Sequence, residues 1–323
     1  MNSITRRALC IAALTTCVGA WAQSPSGTPV RISSVFPAGS GPDVVARIIG
    51  EKLQTRWGRP VVVDAKPGGA GMVAINSVKG AASNGSELVV VDVGTLSINP
   101  LIFKTLSYDP EKDLVPVAVL YKTAFFVVVS ANGPFKTMEG LLAAAADKRK
   151  NLTFGSNAVG GPIHLHSQRL AYAYGAEMLH VPFKEISQLY TAVSTGEVDW
   201  AFGSLASAGP LLRAGKLRFL AVADATRSPA MPEVPTLASV GGPKDLFAST
   251  WVALMAPRGT PASVAADINK AVNEVLELPD VKEKFATFGF VPAAGPVQQV
   301  VDFMRSDRAR YSEVVKRANV TVD

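Results

Sequence analysis

The stretch Val30-Arg31-Ile32-Ser33-Ser34-Val35-Phe36, running into Pro37-Ala38-Gly39-Ser40-Gly41-Pro42-Asp43 and then into Val44-Val45-Ala46-Arg47-Ile48-Ile49, decides the fold. Its first part is an apolar, β-branched run of strand length. Its last part sets Val44, Val45, Ile48, Ile49 and Leu53 on one side of a helix that stops at Gly58. The turn between them, rich in glycine and proline, belongs to neither element. A strand, a polar turn and a helix in that order are the first half of a βαβ unit.

The alternation continues outward from this unit. Strands are expected at Val61 to Asp64, Leu88 to Val93, Phe125 to Ser130, Leu152 to Gly155, Met178 to Val181, Val198 to Phe202, Leu217 to Ala223 and Trp251 to Ala256, with helices between them. Strands apolar at nearly every position belong to sheets covered on both faces, which is the mark of a largely parallel α/β fold. Near the end of the chain Thr260 reads as a helix cap, Pro261 as its first turn, and Val264, Ile268, Val272 and Val275 as a buried stripe; Pro279 opens the next helix. No repeat of 20 to 50 residues, low-complexity tract or long linker divides the 323 residues.

At the N-terminus Arg6 and Arg7 precede an apolar run from Ala8 to Val18 and the triplet Ala20-Trp21-Ala22, the pattern of a secretory signal peptide cleaved after Ala22. The run has about eleven residues where a membrane-spanning helix needs roughly 20. Both cysteines, Cys10 and Cys17, fall inside this leader, so the mature chain is expected to have no disulfide, no thiolate chemistry and no cysteine metal site. The net charge is +6, and Arg6 and Arg7 supply two of those charges. So small and scattered an excess is not a nucleic-acid footprint, and the densest run, Lys148-Arg149-Lys150, reads as a solvated helix end.

Motifs for catalysis are scarce. The three histidines, His164, His166 and His180, lack cysteine partners and the i, i+4 spacing of a helical metal site, so no metal is expected. Leu205-Ala206-Ser207-Ala208-Gly209 lacks the first glycine of a nucleophile elbow, and there is no Walker phosphate loop. Gly69-Ala70-Gly71-Met72-Val73-Ala74, with Asp92 ending the next strand, matches the outline of a dinucleotide fingerprint. Against it, Pro67 and Gly68 separate the strand from the first required glycine, and a diffusible nicotinamide is not expected outside the cytoplasm. No cofactor is expected.

Polar loops directly after strands are abundant. Besides the first there are Gly94-Thr95-Leu96-Ser97, the loop from Gly155 to Pro162, and Gly203-Ser204-Leu205-Ala206-Ser207. Ligands of α/β sheets bind at the carboxyl ends of strands, where N–H groups at the following helix attract anions. Glycine lets the backbone come close, and serine and threonine add hydroxyl donors. No arginine stands in any of the four loops, so the pattern predicts a cleft rich in uncharged donors, with Ser40 contributing to every ligand. Arg47, one helical turn on, is expected to serve structure or solubility.

Several stretches together resemble one family. They are Phe36 to Arg47, Lys66-Pro67-Gly68-Gly69-Ala70-Gly71, Ile98-Asn99-Pro100, Tyr108-Asp109-Pro110, Phe154-Gly155-Ser156 with His164-Leu165, and His180-Val181-Pro182-Phe183-Lys184. Gly196-Glu197-Val198-Asp199, Pro232-Glu233-Val234-Pro235-Thr236 and Ala256-Pro257-Arg258-Gly259-Thr260-Pro261 continue the series. The chain resembles the Bug-type extracytoplasmic solute receptors of tripartite tricarboxylate transporters. The resemblance implies a two-lobed periplasmic-binding-protein (Venus flytrap) architecture with crossover connections between lobes. After the signal peptide at 1–22, residues 23–123 and 246–323 would form one lobe and 124–245 the other.

It also implies a monomeric, non-enzymatic periplasmic protein that captures a dicarboxylate, an amino acid or an aromatic acid and hands it to membrane permease subunits, with no nucleic acid involved. Ala38, Gly39, Ser40, Pro42 and Asp43 would clamp the carboxylate. Thr95, Ser97, Ser156, Asn157, Ala158, Gly160, Gly161, Pro162, Gly203, Ser204 and Ser207 would shape selectivity, and His164 is counted with them. Glu185 stands where the family commonly has glycine. Two other readings stay open: a sensor receptor for a carboxylate, and an exported α/β hydrolase, which His164 or His180 within reach of a cleft serine would support.

Overall fold

The computed structural model describes residues 27–147 and 151–322. The segment expected to be a signal peptide cleaved after Ala22, and the run Lys148-Arg149-Lys150, lie outside the described residues. Among the described residues no helix is long and apolar enough to cross a membrane.

The opening unit forms as its sequence demands. Strand β1 (Val30–Ser34) buries Val30 and Ile32 and exposes Arg31 between them. Helix α1 (Gly41–Trp57) begins after Ser40 in extended backbone, carries Pro42 in its first turn, and ends at Gly58, whose left-handed conformation returns an N–H to Gln54 O.

Two sheets follow from the same logic. The first holds β1 with β2 (Val61–Ala65), β3 (Glu87–Asp92), β4 (Leu114–Ala124), β10 (Ser249–Pro257) and β11 (Val291–Pro292), in the order β11-β4-β10-β3-β1-β2. The second holds β5 (Phe126–Ser130), β6 (Thr153–Ser156), β7 (Leu179–Pro182), β8 (Trp200–Gly203) and β9 (Leu217–Val222), in the order β7-β6-β8-β5-β9. Strand β1 pairs parallel with β2 and β3, and β6 pairs parallel with β7 and β8, as strand–helix alternation predicts.

Each sheet is nonetheless mixed, because β10 runs antiparallel to β3 and β4, and β5 antiparallel to β8 and β9. The cause is the crossing. Strand β4 leaves the first sheet for the second and β10 comes back, so two neighbours joined through one junction must point in opposite directions. Three backbone bonds fasten that junction: Phe125 N–H to Ala248 O (2.8 Å), Ala248 N–H to Ala223 O (2.8 Å) and Ala223 N–H to Phe125 O (2.9 Å).

Strand β4 escapes a reading of the sequence because Pro116 interrupts it. The proline, which has no N–H to give, sits opposite Met255 beside a register shift between Leu254 and Met255, where a bulge absorbs the missing bond. Thr260 is not the cap expected. Its hydroxyl donates to Pro257 O at 2.8 Å, and Pro261 takes the cap position of α8 (Ala262–Leu276), whose Ile268, Val272 and Val275 are buried as the stripe predicts.

Helices cover both sheets. One face of the first sheet packs on α1, α8 and α9 (Pro279–Thr287) through Ile49, Leu53, Val272 and Phe285. Its other face meets α2 (Met72–Val78), α3 (Asn99–Ile102) and the long α10 (Gln298–Ala318) through Ile75, Val91, Tyr311 and Val315. The second sheet buries Phe154, Trp200 and Phe202 under α4 (Met138–Ala146), α5 (Pro162–Ala173), α6 (Ile186–Thr195) and α7 (Leu205–Arg213). Each such side chain contributes roughly 1.5–3 kcal/mol on transfer from water, so cores of this extent can hold the fold without a crosslink.

Candidate functional site

A cavity of about 470 Å³ lies between the two sheets. From the first sheet come Phe36, Gly39, Ser40, Gly41 and Pro42 of the β1–α1 loop, Asp92 at the end of β3, Tyr121 and Thr123 of β4, and Thr250 and Val252 of β10. Asn157, Pro162, Ile163, Ile186, Ser204, Ala206 and Ser207 line it from the second sheet. Phe125 at the crossing and Phe288 and Phe290 after α9 complete the wall. A larger hollow of about 790 Å³ lies between α3 and α10, but none of the strand-end loops reaches it, and its position gives it no role in the same chemistry.

The β1–α1 loop is shaped by one carboxylate. Asp43 is 1% exposed; it accepts the Gly39 N–H at 2.9 Å and both Nε (3.0 Å) and Nη2 (3.1 Å) of Arg47, whose Nη1 also reaches Val63 O. Arg47 thus anchors the loop from behind, in line with the structural duty expected of it. Ser40 turns its hydroxyl away from the helix and donates to Pro37 O at 2.7 Å. The first turn of α1 therefore has no side-chain cap, and Gly41 and Pro42 of that turn line the cavity at the positive end of the helix dipole.

Opposite stands a helix start built differently. Ser204 accepts the Ser207 N–H and Ser207 accepts the Ser204 N–H, both at 3.2 Å, so a reciprocal capping box closes α7. Tyr190 donates to Phe202 O at 3.1 Å and sits 3.0 Å from Ser207 Oγ; any side chain at Gly203 would collide with that phenol. Helix α5, by contrast, starts at Gly161 with no side-chain cap and with Pro162 in its first turn. Two uncapped helix starts, α1 and α5, thus contribute to opposite walls of one cavity.

Behind the α5 loop lies a histidine stack. His180 Nε2 is 2.7 Å from Ser156 Oγ, Ser156 donates to Ala158 O at 3.0 Å, and His164 Nδ1 accepts the Gly160 N–H at 2.9 Å. The rings of His164 and His180 are 3.9 Å apart and nearly parallel. Burial pushes both imidazoles down to about 4, helped at His164 by repulsion from His180, so both are neutral near pH 7. The bonds form one chain when His180 donates to Ser156 and Ser156 donates to Ala158 O. In that arrangement the serine proton is directed away from the imidazole. Ser156 is itself fully buried, and among the described residues no carboxylate bonds His180.

The expected residues divide accordingly. Gly39, Ser40, Pro42, Asn157, Pro162, Ser204 and Ser207 line the cavity, while Ala38, exposed in the first loop, and Asp43, buried in the first turn of α1, do not. Ser156, Ala158, Gly160, Gly161, His164 and Gly203 support the second-sheet loops without lining the cavity. Thr95 spends its hydroxyl and its N–H on Asp92, and Ser97 is fully buried. The glycine-rich motif after β2 is a structural turn: Gly71 has φ +89°, a Cβ there would overlap the Thr95 methyl, and Ala70 O accepts from Asn99. Among the described residues no group of three or more His, Cys, Asp or Glu could hold a metal.

Asp92, Tyr121, Thr123, Thr250 and the pair Phe288 and Phe290 were not read as site residues from the sequence. Asp92 ends a strand, and that position alone could have signalled it. Nothing local marks the rest.

The sequence profile of the tripartite tricarboxylate transporter family receptors matches residues 45–320. The chain belongs to that receptor family. This receptor is similar to a protein encoded in the tcbD–tcbE intergenic region of Pseudomonas sp. strain P51, at 32% identity over 287 residues, 89% of this chain and 85% of the relative. It is similar as well to BugT of Bordetella pertussis, at 28% identity over 89% of this chain and 88% of that one. Among solved structures, R. palustris Rpa4515 with adipate superimposes with a TM-score of 0.82 at 28% identity, over 91% of this receptor and 98% of that chain. The receptor thus has the two-lobed α/β architecture of periplasmic binding proteins, and its family is one of solute receptors.

Proposed function

We propose that this receptor resides in the periplasm after cleavage following Ala22, binds a small carboxylate-bearing solute between its lobes, and presents it to the membrane permease subunits of a tripartite tricarboxylate transporter. The lobes comprise residues 23–123 with 246–323, and 124–245, hinged where Phe125, Ala223 and Ala248 exchange backbone bonds. The observation that carries the reading is the uncapped start of α1 at a cavity that, among the described residues, no lysine, arginine or histidine lines. Backbone N–H groups at the helix start, with uncharged side-chain donors such as Asn157, Thr123 and Thr250 around them, are then the groups that can hold an anion.

Uncapped α5 on the opposite wall lets one ligand engage both lobes, which favours the closed form. The lobes already touch beside the cavity: a Cβ on Gly41 would meet Ala206 at 3.4 Å, and one on Gly289 would meet Leu205 at 2.9 Å. The Ser156–His180 pair serves the loop rather than hydrolysis, because the serine is buried and donates to a carbonyl. Adipate, bound by the R. palustris relative, fits the same general class of ligand.

A thermal-shift screen of carboxylic acids tests the reading. A ligand at 100 times its dissociation constant should stabilise the protein by about 2.7 kcal/mol, with a smaller radius of gyration at saturation. A panel of carboxylates that leaves both quantities unchanged overturns it.

A further inference from the structure

Two polar groups in the cavity wall, Asp92 and Tyr121, have no part in the first loop or in the capping of the helices around it. Asp92 keeps accessible surface although it lies deep in the molecule, and the wall it contributes to is that of the cavity. The Thr95 N–H donates to its Oδ1 at 3.0 Å, and the Thr95 hydroxyl, 2.8 Å from the Asp92 carbonyl, lies 3.1 Å from the same oxygen; burial raises the carboxyl above its ordinary range, and the bonds from Thr95 oppose that rise. Tyr121 is 1% exposed, lines the same cavity, and its hydroxyl has no hydrogen-bond partner among the described residues. That hydroxyl is free to bond a group of a ligand that enters the cavity.

Register puts the two groups on one surface. Val252 stands opposite Asp92 on β3 and opposite Tyr121 on β4, so all three side chains project from the same face of the sheet. Two strand spacings separate their backbones, roughly 10 Å. The first loop adjoins one end of this row, since Val35 N–H bonds Val90 O and Phe36 then leads into the clamp. Tyr121 is fixed by stacking on Phe290 at 4.1 Å, and Phe36, Phe125 and Phe288 add apolar surface around it.

We propose that Asp92, seconded by Tyr121, selects for carboxylates that also carry a hydrogen-bond donor, an ammonium or a hydroxyl, on an apolar body, and selects against dicarboxylates. The inference rests on the carboxylate reading above. An anion held at the α1 amides leaves the rest of the ligand against a wall that holds a carboxyl group and, among the described residues, no lysine, arginine or histidine. A second ligand carboxylate would face the Asp92 oxygens, acceptor against acceptor, with no lysine, arginine or histidine among the described lining residues to balance it. A donor would meet an acceptor already oriented by Thr95. The aromatic surface suits the connecting body.

Two matched series, measured by calorimetry on the mature chain, test this. One is 6-aminohexanoate, 6-hydroxyhexanoate, hexanoate and adipate; the other is phenylalanine, 3-phenyllactate, 3-phenylpropionate and phenylsuccinate. In at least one series the donor-bearing acid should bind at least about tenfold more tightly than the dicarboxylate, which is about 1.4 kcal/mol, with the plain acid between them. Asp92→Asn keeps an oxygen for Thr95 and removes the charge, so it should erase or reverse that ranking; Tyr121→Phe should weaken the donor-bearing acid by about threefold. Dicarboxylates that bind as tightly as donor-bearing acids in both series, or a ranking unchanged in Asp92→Asn, overturn the inference and leave the carboxylate reading standing. If no acid of either series binds either protein, that reading falls too.

Discussion

Ser40 and Ser204 occupy equivalent places in the two lobes. Each follows a strand, lies in extended backbone, precedes a helix and lines the cavity. Yet Ser204 closes its helix in a capping box, whereas Ser40 donates to Pro37 O and leaves α1 open. The residues that follow explain the difference. In α7 the third position is Ser207, which can return the bond. In α1, Pro42 removes one N–H that Ser40 could cap, and the Asp43 carboxylate turns back to Gly39 and Arg47. A serine before a helix therefore marks an anion site only when the helix start stays uncapped, and the hydroxyl itself is not the donor.

The harshest test of this contrast is Gly41→Leu, which places a side chain among Phe288, Phe290 and Ala206 where the open helix start meets the other lobe. Affinity for any confirmed ligand should fall more than about 100-fold, over 2.7 kcal/mol. The unliganded protein should still unfold in one cooperative transition, at a lower melting temperature, since overpacking of this kind costs about 1–3 kcal/mol. Binding that survives in calorimetry would place the anchor elsewhere than α1.

Acid should divide the two walls next. His164 and His180 behind the α5 loop are held at about 4 when folded, below their ordinary 6.5. The unfolded chain thus binds more protons between those values, so their contribution is complete above about pH 6.5 and is lost as pH falls toward 4, by at most about 1.4 kcal/mol per unit per group. His166, held at about 3 by burial, acts in the same direction. The β1–α1 loop contains no histidine. Hydrogen exchange at pH 5 should therefore show residues 156–164 losing protection before residues 37–43, and His180→Gln should flatten the fall in melting temperature; equal losses in both loops would break the contrast.

Asp43→Asn probes how the open start is held in shape. Losing charged bonds to Arg47 and Gly39 should cost about 1–3 kcal/mol in chemical denaturation, and the loosened loop should bind roughly tenfold less tightly. Arg47 is half exposed, so its charge can hydrate, which keeps the cost at this level. The smallest effects belong to the serines themselves. Ser204→Ala should lower stability by about 1 kcal/mol with affinity nearly intact. Ser40→Ala should alter affinity by less than about threefold, and a tenfold loss in calorimetry would return the hydroxyl to the role the sequence pattern suggested for it.

Much of the fold was legible because it rests on local pattern. The run from Val30 to Phe36, the apolar face of α1 and the stop at Gly58 each reveal themselves within a few residues, and so did most other strands. Strand β4 was hidden by Pro116, whose bulge makes sense only beside Met255. The site was half legible: the glycine- and serine-rich loops pointed to Gly39, Ser40, Pro42, Asn157, Pro162, Ser204 and Ser207, all of which line the cavity. Thr95 and Ser156 looked equally available in sequence, but their hydroxyls are spent on Asp92 and Ala158.

The sequence by itself determined that strands and helices alternate, that polar loops follow strands, and that those loops carry no arginine, because each depends on neighbours along the chain. Only the tertiary structure decided which loops share a wall, that β4 and β10 oppose one another at the crossing, and that Asp92, Val252 and Tyr121 form one row. Those facts depend on strand register between segments up to 160 residues apart, such as Val252 and Asp92, and a hydroxyl's partner is settled only when packing has chosen its neighbours.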